Sequence, residues 1–383
     1  MNGNDDFALV PKASGAVEKA QPGTKRVLSG MVADTLGLAT KEQLKPAKAR
    51  FRIGEYEWCE PDYRQILLWA ESLWLEPEQI IKRLLDGERA LVPEHFGAET
   101  RFVAGRLERI NWDFDLLPIQ GFEWVEGLKT THLSFKPQLH RQPLEGKTLS
   151  APLPQLTHLA CPDLGLIRLD LCRTHELLEL VCRGNRLREI DLSVVPKLTK
   201  LWCYQTGLSR LDLSSVPNLV NLHCGNQVLQ ELNLRPVPKL EELDCQSTRL
   251  SRLDVSSLSK LRRLACGNNP DLGYHKGLTE LNLGHLSQLE YLHCGNHFRP
   301  GKLSCLDLSG VPHLVELRCF ENEIEELDLS LVPRLERLSC YGNRIKVLDI
   351  RPLRNLEELR WWSENDSNKP QLIQRPDQHF GVT

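Results

Sequence analysis

Residues 198–217 read Leu198-Thr-Lys-Leu201-Trp-Cys203-Tyr-Gln-Thr-Gly-Leu208-Ser-Arg-Leu211-Asp-Leu213-Ser-Ser-Val-Pro217, and the following 21 residues repeat the pattern with Leu219, Leu222, Cys224, Leu229, Leu232, Leu234 and Pro238. The cysteine marks the register. Nine of the twelve cysteines form one ladder, Cys161, Cys182, Cys203, Cys224, Cys245, Cys266, Cys294, Cys319 and Cys340, with spacings of 21 five times, then 28, 25 and 21. A fixed period of this length predicts a solenoid, in which each unit buries its apolar face only against its neighbours. Alternate residues of a strand share a face, so Leu201 and Cys203 point inward together while Lys200, Trp202 and Tyr204 point outward. Stacked units then make a parallel sheet, roughly 45 Å long for ten units. The Leu-Asp-Leu step at 169, 211, 306 and 327 supplies a second extended segment, and Pro154, Pro196, Pro217, Pro238, Pro312 and Pro333 set the turn into the next unit.

With Asn following the ladder cysteine by three at Asn185, Asn269, Asn322 and Asn343, the unit resembles the leucine-rich repeat, Leu-x-x-Leu-x-Leu-x-x-Asn/Cys-x-Leu. It is most similar to the bacterial 21-residue, cysteine-ladder class typified by internalin J, over about residues 153–362. The resemblance implies an α/β solenoid with its parallel sheet on the concave face and extended segments on the convex face, used for binding protein. Bacterial effectors of related architecture carry a ubiquitin-ligase domain after the repeats; here only about twenty residues follow the array.

The outward slots have no repeat consensus. They hold Trp202, Tyr204, His223, Asp244, Tyr291, His293, Arg318, Phe320 and Tyr341, and aromatics and Arg are the types enriched at binding hot spots. The aromatics among them, with Trp362, are expected to be exposed, either as a contact surface or beneath the N-terminal region. Two consecutive units run long, by seven residues after Cys266 and by four after Cys294. Both inserts leave from one edge, and in solenoids such inserts often flank the binding face. Tyr274, Phe298 and Arg299 are candidate contacts there; neutral drift of a surface loop gives the same pattern.

The ladder cysteines read as core, since a free Cys packs like a small hydrophobe. Disulfides are not expected, because parallel thiols all point into one packed interior. No metal is expected either. His and Cys in Leu222-His-Cys-Gly-Asn226 and Leu292-His-Cys-Gly-Asn296 lie on opposite strand faces, and His223 and His293 stand roughly 14 Å apart. A reducing compartment suits this usage. The expected location is the cytoplasm, with export by a specialised machine as the other possibility, and the first thirty residues hold no apolar signal-peptide core.

Residues 1–52 read as a disordered, mildly basic tail with nine basic and five acidic residues, carrying a short amphipathic stretch at 28–38. Residues 53–120 read as a helical N-terminal cap, with one helix over 62–74 (Ile66, Leu67, Trp69, Ala70 and Leu73 apolar) and a second from Glu76-Pro77 to Asp86-Gly87. Residues 121–152 read as a degenerate repeat in which Phe135 takes a ladder slot, and residues 363–383 as a loose polar tail. The 48 basic and 51 acidic residues argue against nucleic acid as a partner, and no apolar run reaches the ~20 residues of a membrane helix. Neither a phosphate-binding Gly-rich loop nor a hydrolase motif is present. The sequence therefore predicts a monomeric, non-catalytic protein-binding module without cofactors. The alternatives are an effector or defence component acting on a host or phage protein, and an enzyme hidden in residues 55–120.

Overall fold

A computed structural model describes residues 50–86, 101–103, 106–112, 128–135, 146–268, 277–297, 301–362 and 369–382. The stretch 28–38 and the candidate contacts Tyr274, Phe298 and Arg299 lie outside these residues. The residue pattern becomes one parallel ladder: Leu201, Leu222, Leu243, Leu264, Leu292, Leu317, Leu338 and Leu359 stand in register on successive three-residue strands. The sheet has 14 strands among the described residues. Strands are short because the chain must turn after each cysteine. On the opposite side, the Leu-Asp-Leu segments pair at Thr148–Ser150 with Arg168–Asp170, Arg252–Asp254 with Glu280–Asn282, and Val347–Asp349 with Gln371–Ile373.

All nine ladder cysteines are free and buried, none more than 7% exposed. Burial pushes the thiols of Cys161 and Cys294 up to about 12 and is the first cause that raises those of the cysteines between them, such as Cys245, well above their ordinary range. After Cys182, Cys203, Cys224, Cys245, Cys319 and Cys340 the polar residue three positions on closes the turn from inside. Asn185 accepts from the Leu164 and Leu166 amides and donates to the Cys161 and Cys182 carbonyls at 2.8 Å each. Asn322 donates to Cys294 and Cys319 at 3.0 Å each, while Thr206 and Thr248 reach only their own cysteine carbonyl. A buried carbonyl left without a donor costs about 1–3 kcal/mol. Asn322→Leu is thus expected to destabilise the array by roughly 3 kcal/mol in urea unfolding, against under about 0.5 kcal/mol for Asn218→Ala at the surface.

At the N-terminal end, the helices Glu60–Leu73 and Pro77–Asp86 cover the open core. One apolar cluster runs without interruption from Ile53 through the helices to Leu359. Asp62 ties the cap to the first strands: its carboxylate accepts from the Leu107 amide at 2.7 Å, and burial raises it to about 6. Three expectations need correction. The strand Arg50–Ile53, whose first three residues were assigned to the disordered tail, pairs antiparallel with Tyr56–Cys59. Leu67 is exposed, because Asp62 and Gln65 take the buried side with Ile66 and Trp69. Residues 369–382 are not a loose tail: Gly381–Val382 adds the last parallel strand, and Gln378 is buried, donating to the Ile350 and Leu353 carbonyls. Leu372 stands in register with Leu348, and Leu372 and Phe380 pack against the core from this otherwise polar stretch. Phe135 does take a ladder slot, buried opposite the backbone position of Trp112.

Candidate functional site

The concave face carries three rows of outward side chains, set by the strand pleat on either side of the buried leucine and cysteine. One runs Glu179, Lys200, Asn221, Glu242, Arg263, Tyr291, Glu316, Arg337; the next runs Val181, Trp202, His223, Asp244, Ala265, His293, Arg318, Ser339. Residues after the cysteine form the third row. Because the strands are in register, long side chains four to five ångströms apart along a row must pair or stack.

Trp202 packs on Ala160 and Val181, and its ring lies 5.2 Å from that of His223. His223 is 3.7 Å from Glu242, which Asn221 also bonds at 2.8 Å. Glu242 is held below its ordinary range, first by that imidazole. Beside it, Asp244 is raised by burial, although its carboxylate accepts from the Gln246 amide. Tyr204 lies under the Arg183 guanidinium at 5.7 Å, and burial raises its phenol. Tyr291 is flanked by Arg263 at 4.5 Å and Arg318 at 5.9 Å.

The expected exposure fails for two candidates. Phe320 is only 5% exposed and His293 only 6%. Phe320 is enclosed by Tyr341, stacked at 5.0 Å, by His293 at 5.7 Å and by His297 at 4.9 Å. His297 belongs to the second insert, so its ring, among the described residues of that insert, packs against the concave face. Gly295 makes room: a Cβ there would sit 2.8 Å from the Phe320 ring, and one on Gly267 would strike the Gly295 carbonyl at 2.0 Å. Glycine occupies these slots because the neighbouring strand's atoms fill the space.

His293 has a consequence for acid stability. Burial, reinforced by Arg318, lowers its pKa to about 4, from about 6.5 in an unfolded chain. Since the unfolded state binds the proton first, this stabilisation is complete above pH 6.5 and is lost as pH falls towards 4. His293→Gln is expected to lose about 3 kcal/mol less than the parent between pH 7 and 4, read from urea midpoints at each pH.

Sequence reading placed Trp361 in the last cysteine slot but followed the row between leucine and cysteine only as far as Ser339, and so missed Arg360, which stands in register with it; its position between Leu359 and Trp361 was the available signal. It placed His158 on an outward row but missed His132, and the two rings stack at 4.0 Å. Among the described residues no three His, Cys, Asp or Glu side chains converge on a metal position, and no helix is long and apolar enough to cross a membrane.

These features define a leucine-rich-repeat solenoid with a cysteine ladder. Among solved structures, it is similar to the functional domain of InlJ from Listeria monocytogenes, which also includes a cysteine ladder, at 27% identity and a TM-score of 0.52. That match covers 67% of this chain and 56% of InlJ's, so the chain spans little more than half the length of that relative. A leucine-rich-repeat protein of Leptospira interrogans matches at 18% identity and a TM-score of 0.51, over 67% of this chain and 74% of its own. The solved LRIM1/APL1C complex matches at 18% and 0.52, over 70% and 50%. No protein-family model and no curated protein matches the chain.

Proposed function

We propose that the protein is a non-catalytic scaffold that binds a protein partner on the concave sheet face. The observation that carries the reading is the contrast between the two sides of each strand: inward slots repeat Leu and Cys, while outward slots keep no consensus residue. They gather Trp202, Tyr204, His223 and Asp244 in one group and Tyr291, Arg318 and Tyr341 in a second. A face needed only for solubility has no use for half-buried aromatics flanked by arginine, the residues that dominate interface energetics. Phe320 and His293 act beneath the second group, holding Tyr341 upright. The free thiols, including exposed Cys172 and Cys305, suit a reducing compartment such as the cytoplasm.

The test is affinity capture from native lysate with mass-spectrometric readout. Trp202→Ala/Tyr204→Ala/Tyr341→Ala should lose a protein that both the parent and the convex-side variant Arg168→Ala/Arg210→Ala retain, at unchanged Tm. If the convex variant alone loses it, the binding side is wrong.

A further inference from the structure

Three arginines from three successive strands surround one hollow at the C-terminal end of the sheet. Arg318 and Arg360 stand on the same outward row with Ser339 between them, two strand spacings or ~10 Å apart at the backbone. Arg337 stands on the adjacent row, two residues before Ser339. The hollow measures about 210 Å³, and the stacked rings of Phe320 and Tyr341 form its apolar wall. Ser339 creates the space, a short side chain between two long ones.

The described lining carries three arginines against two acids, Glu316 and Glu358. Glu316 lies 2.6 Å from Arg318 and 3.0 Å from Arg337, one carboxylate shared by two guanidinium groups, and Glu336, outside the lining, reaches Arg337 at 3.8 Å. Each guanidinium has five donors, together more than these three carboxylates can occupy. The centre of the same face presents Glu242 and Asp244 instead, and the chain as a whole carries −3, so the patch is not the by-product of a basic protein.

We propose that this hollow receives the carboxylate side chains of an acidic, extended segment of a protein partner. The inference rests on the sheet face being the binding surface and adds the partner's chemistry. A guanidinium meets a carboxylate through two parallel N–H···O bonds, a geometry that an ammonium cannot offer. The Phe320–Tyr341 wall gives the methylenes of an Asp or Glu side chain an apolar surface. A small inorganic anion has no use for that wall, which favours a peptide side chain as the occupant.

The probe is a fluorescent ten-residue peptide alternating Glu with Gly, compared by anisotropy with its Gln–Gly isostere on the full chain. The acidic peptide should bind at least tenfold tighter, and its affinity should fall as salt rises from about 50 to 300 mM. Arg318→Ala/Arg360→Ala should weaken it at least tenfold, and Arg168→Ala/Arg210→Ala should not. Ser339→Leu, which fills the hollow and leaves every charge in place, should weaken it equally, so the result does not depend on the arginine variant folding. Equal affinity for both peptides, or unchanged binding by the hollow variants, overturns the proposal. So does full displacement by inorganic phosphate at concentrations matching the peptide's Kd, which assigns the hollow to free anions. If the peptide fails while lysate capture is still lost on mutating the face, only the acidic chemistry falls; if capture is also unaffected, the face falls with it.

Discussion

Cys245→Asp is expected to cost more than about 4 kcal/mol and to abolish the cooperative unfolding transition, where Cys245→Ala costs about 1–2 kcal/mol. Cys245 is 1% exposed and sits between Cys224 and Cys266 in the ladder. Alanine removes only the sulfur and its contacts. Aspartate brings a charge into a place where burial already drives the thiol far above its ordinary range, and no buried donor is spare, since the neighbouring amides bond across the ladder at 2.8 Å. The carboxyl must then be protonated or drag water inside, and either disrupts the stacking on which both neighbouring turns depend. Urea unfolding followed by circular dichroism distinguishes the two variants, and a mild Asp phenotype would mean that the strand register is wrong.

The second large effect is chemical. Under native conditions only Cys172 and Cys305 should react with a thiol reagent such as dithionitrobenzoate, and all twelve should react in guanidinium. The nucleophile is the thiolate, and for the ladder thiols burial suppresses both ionisation and access; the tenth protected thiol, Cys59, is buried at the start of the first helix. Cys172 should react more slowly than a small free thiol does, because its hydrogen bond to the Asp170 carboxylate holds its pKa up. Protection of the ladder should exceed a thousandfold in rate, roughly the cost of opening a turn of the array by 4 kcal/mol. A third fast-reacting thiol would place part of the ladder at the surface.

The repeat was legible because each inward position is a choice between a few apolar side chains with a fixed pleat, and the period of 21 states the register outright. Even Phe135, with no cysteine to mark it, was placed by the same alternation. The ends were harder. Arg50–Ile53 pairs through its backbone, which leaves no apolar signature in an otherwise polar stretch. Gln378 replaces a leucine-rich turn with two side-chain hydrogen bonds, so its unit looked like a tail. On the outward face, sequence placed every candidate on its row but could not say which rings cover one another. Phe320 is buried because Gly295 leaves space and His297 arrives from an insert, a coincidence of three strands that no single repeat encodes. Arg360 escaped because the row between leucine and cysteine was followed only as far as Ser339, one unit short of the end of the array.

A protein is proposed to dock on the sheet face. The most direct test places a photo-crosslinking benzoylphenylalanine singly at Tyr204, Tyr291 and Tyr341 on the concave rows, and at Arg168 and Arg210 on the opposite side, followed by irradiation in native lysate. The concave positions should yield one shared adduct and the opposite positions none. An adduct confined to the positions of Arg168 and Arg210 would contradict the assignment and move the binding surface to the convex side.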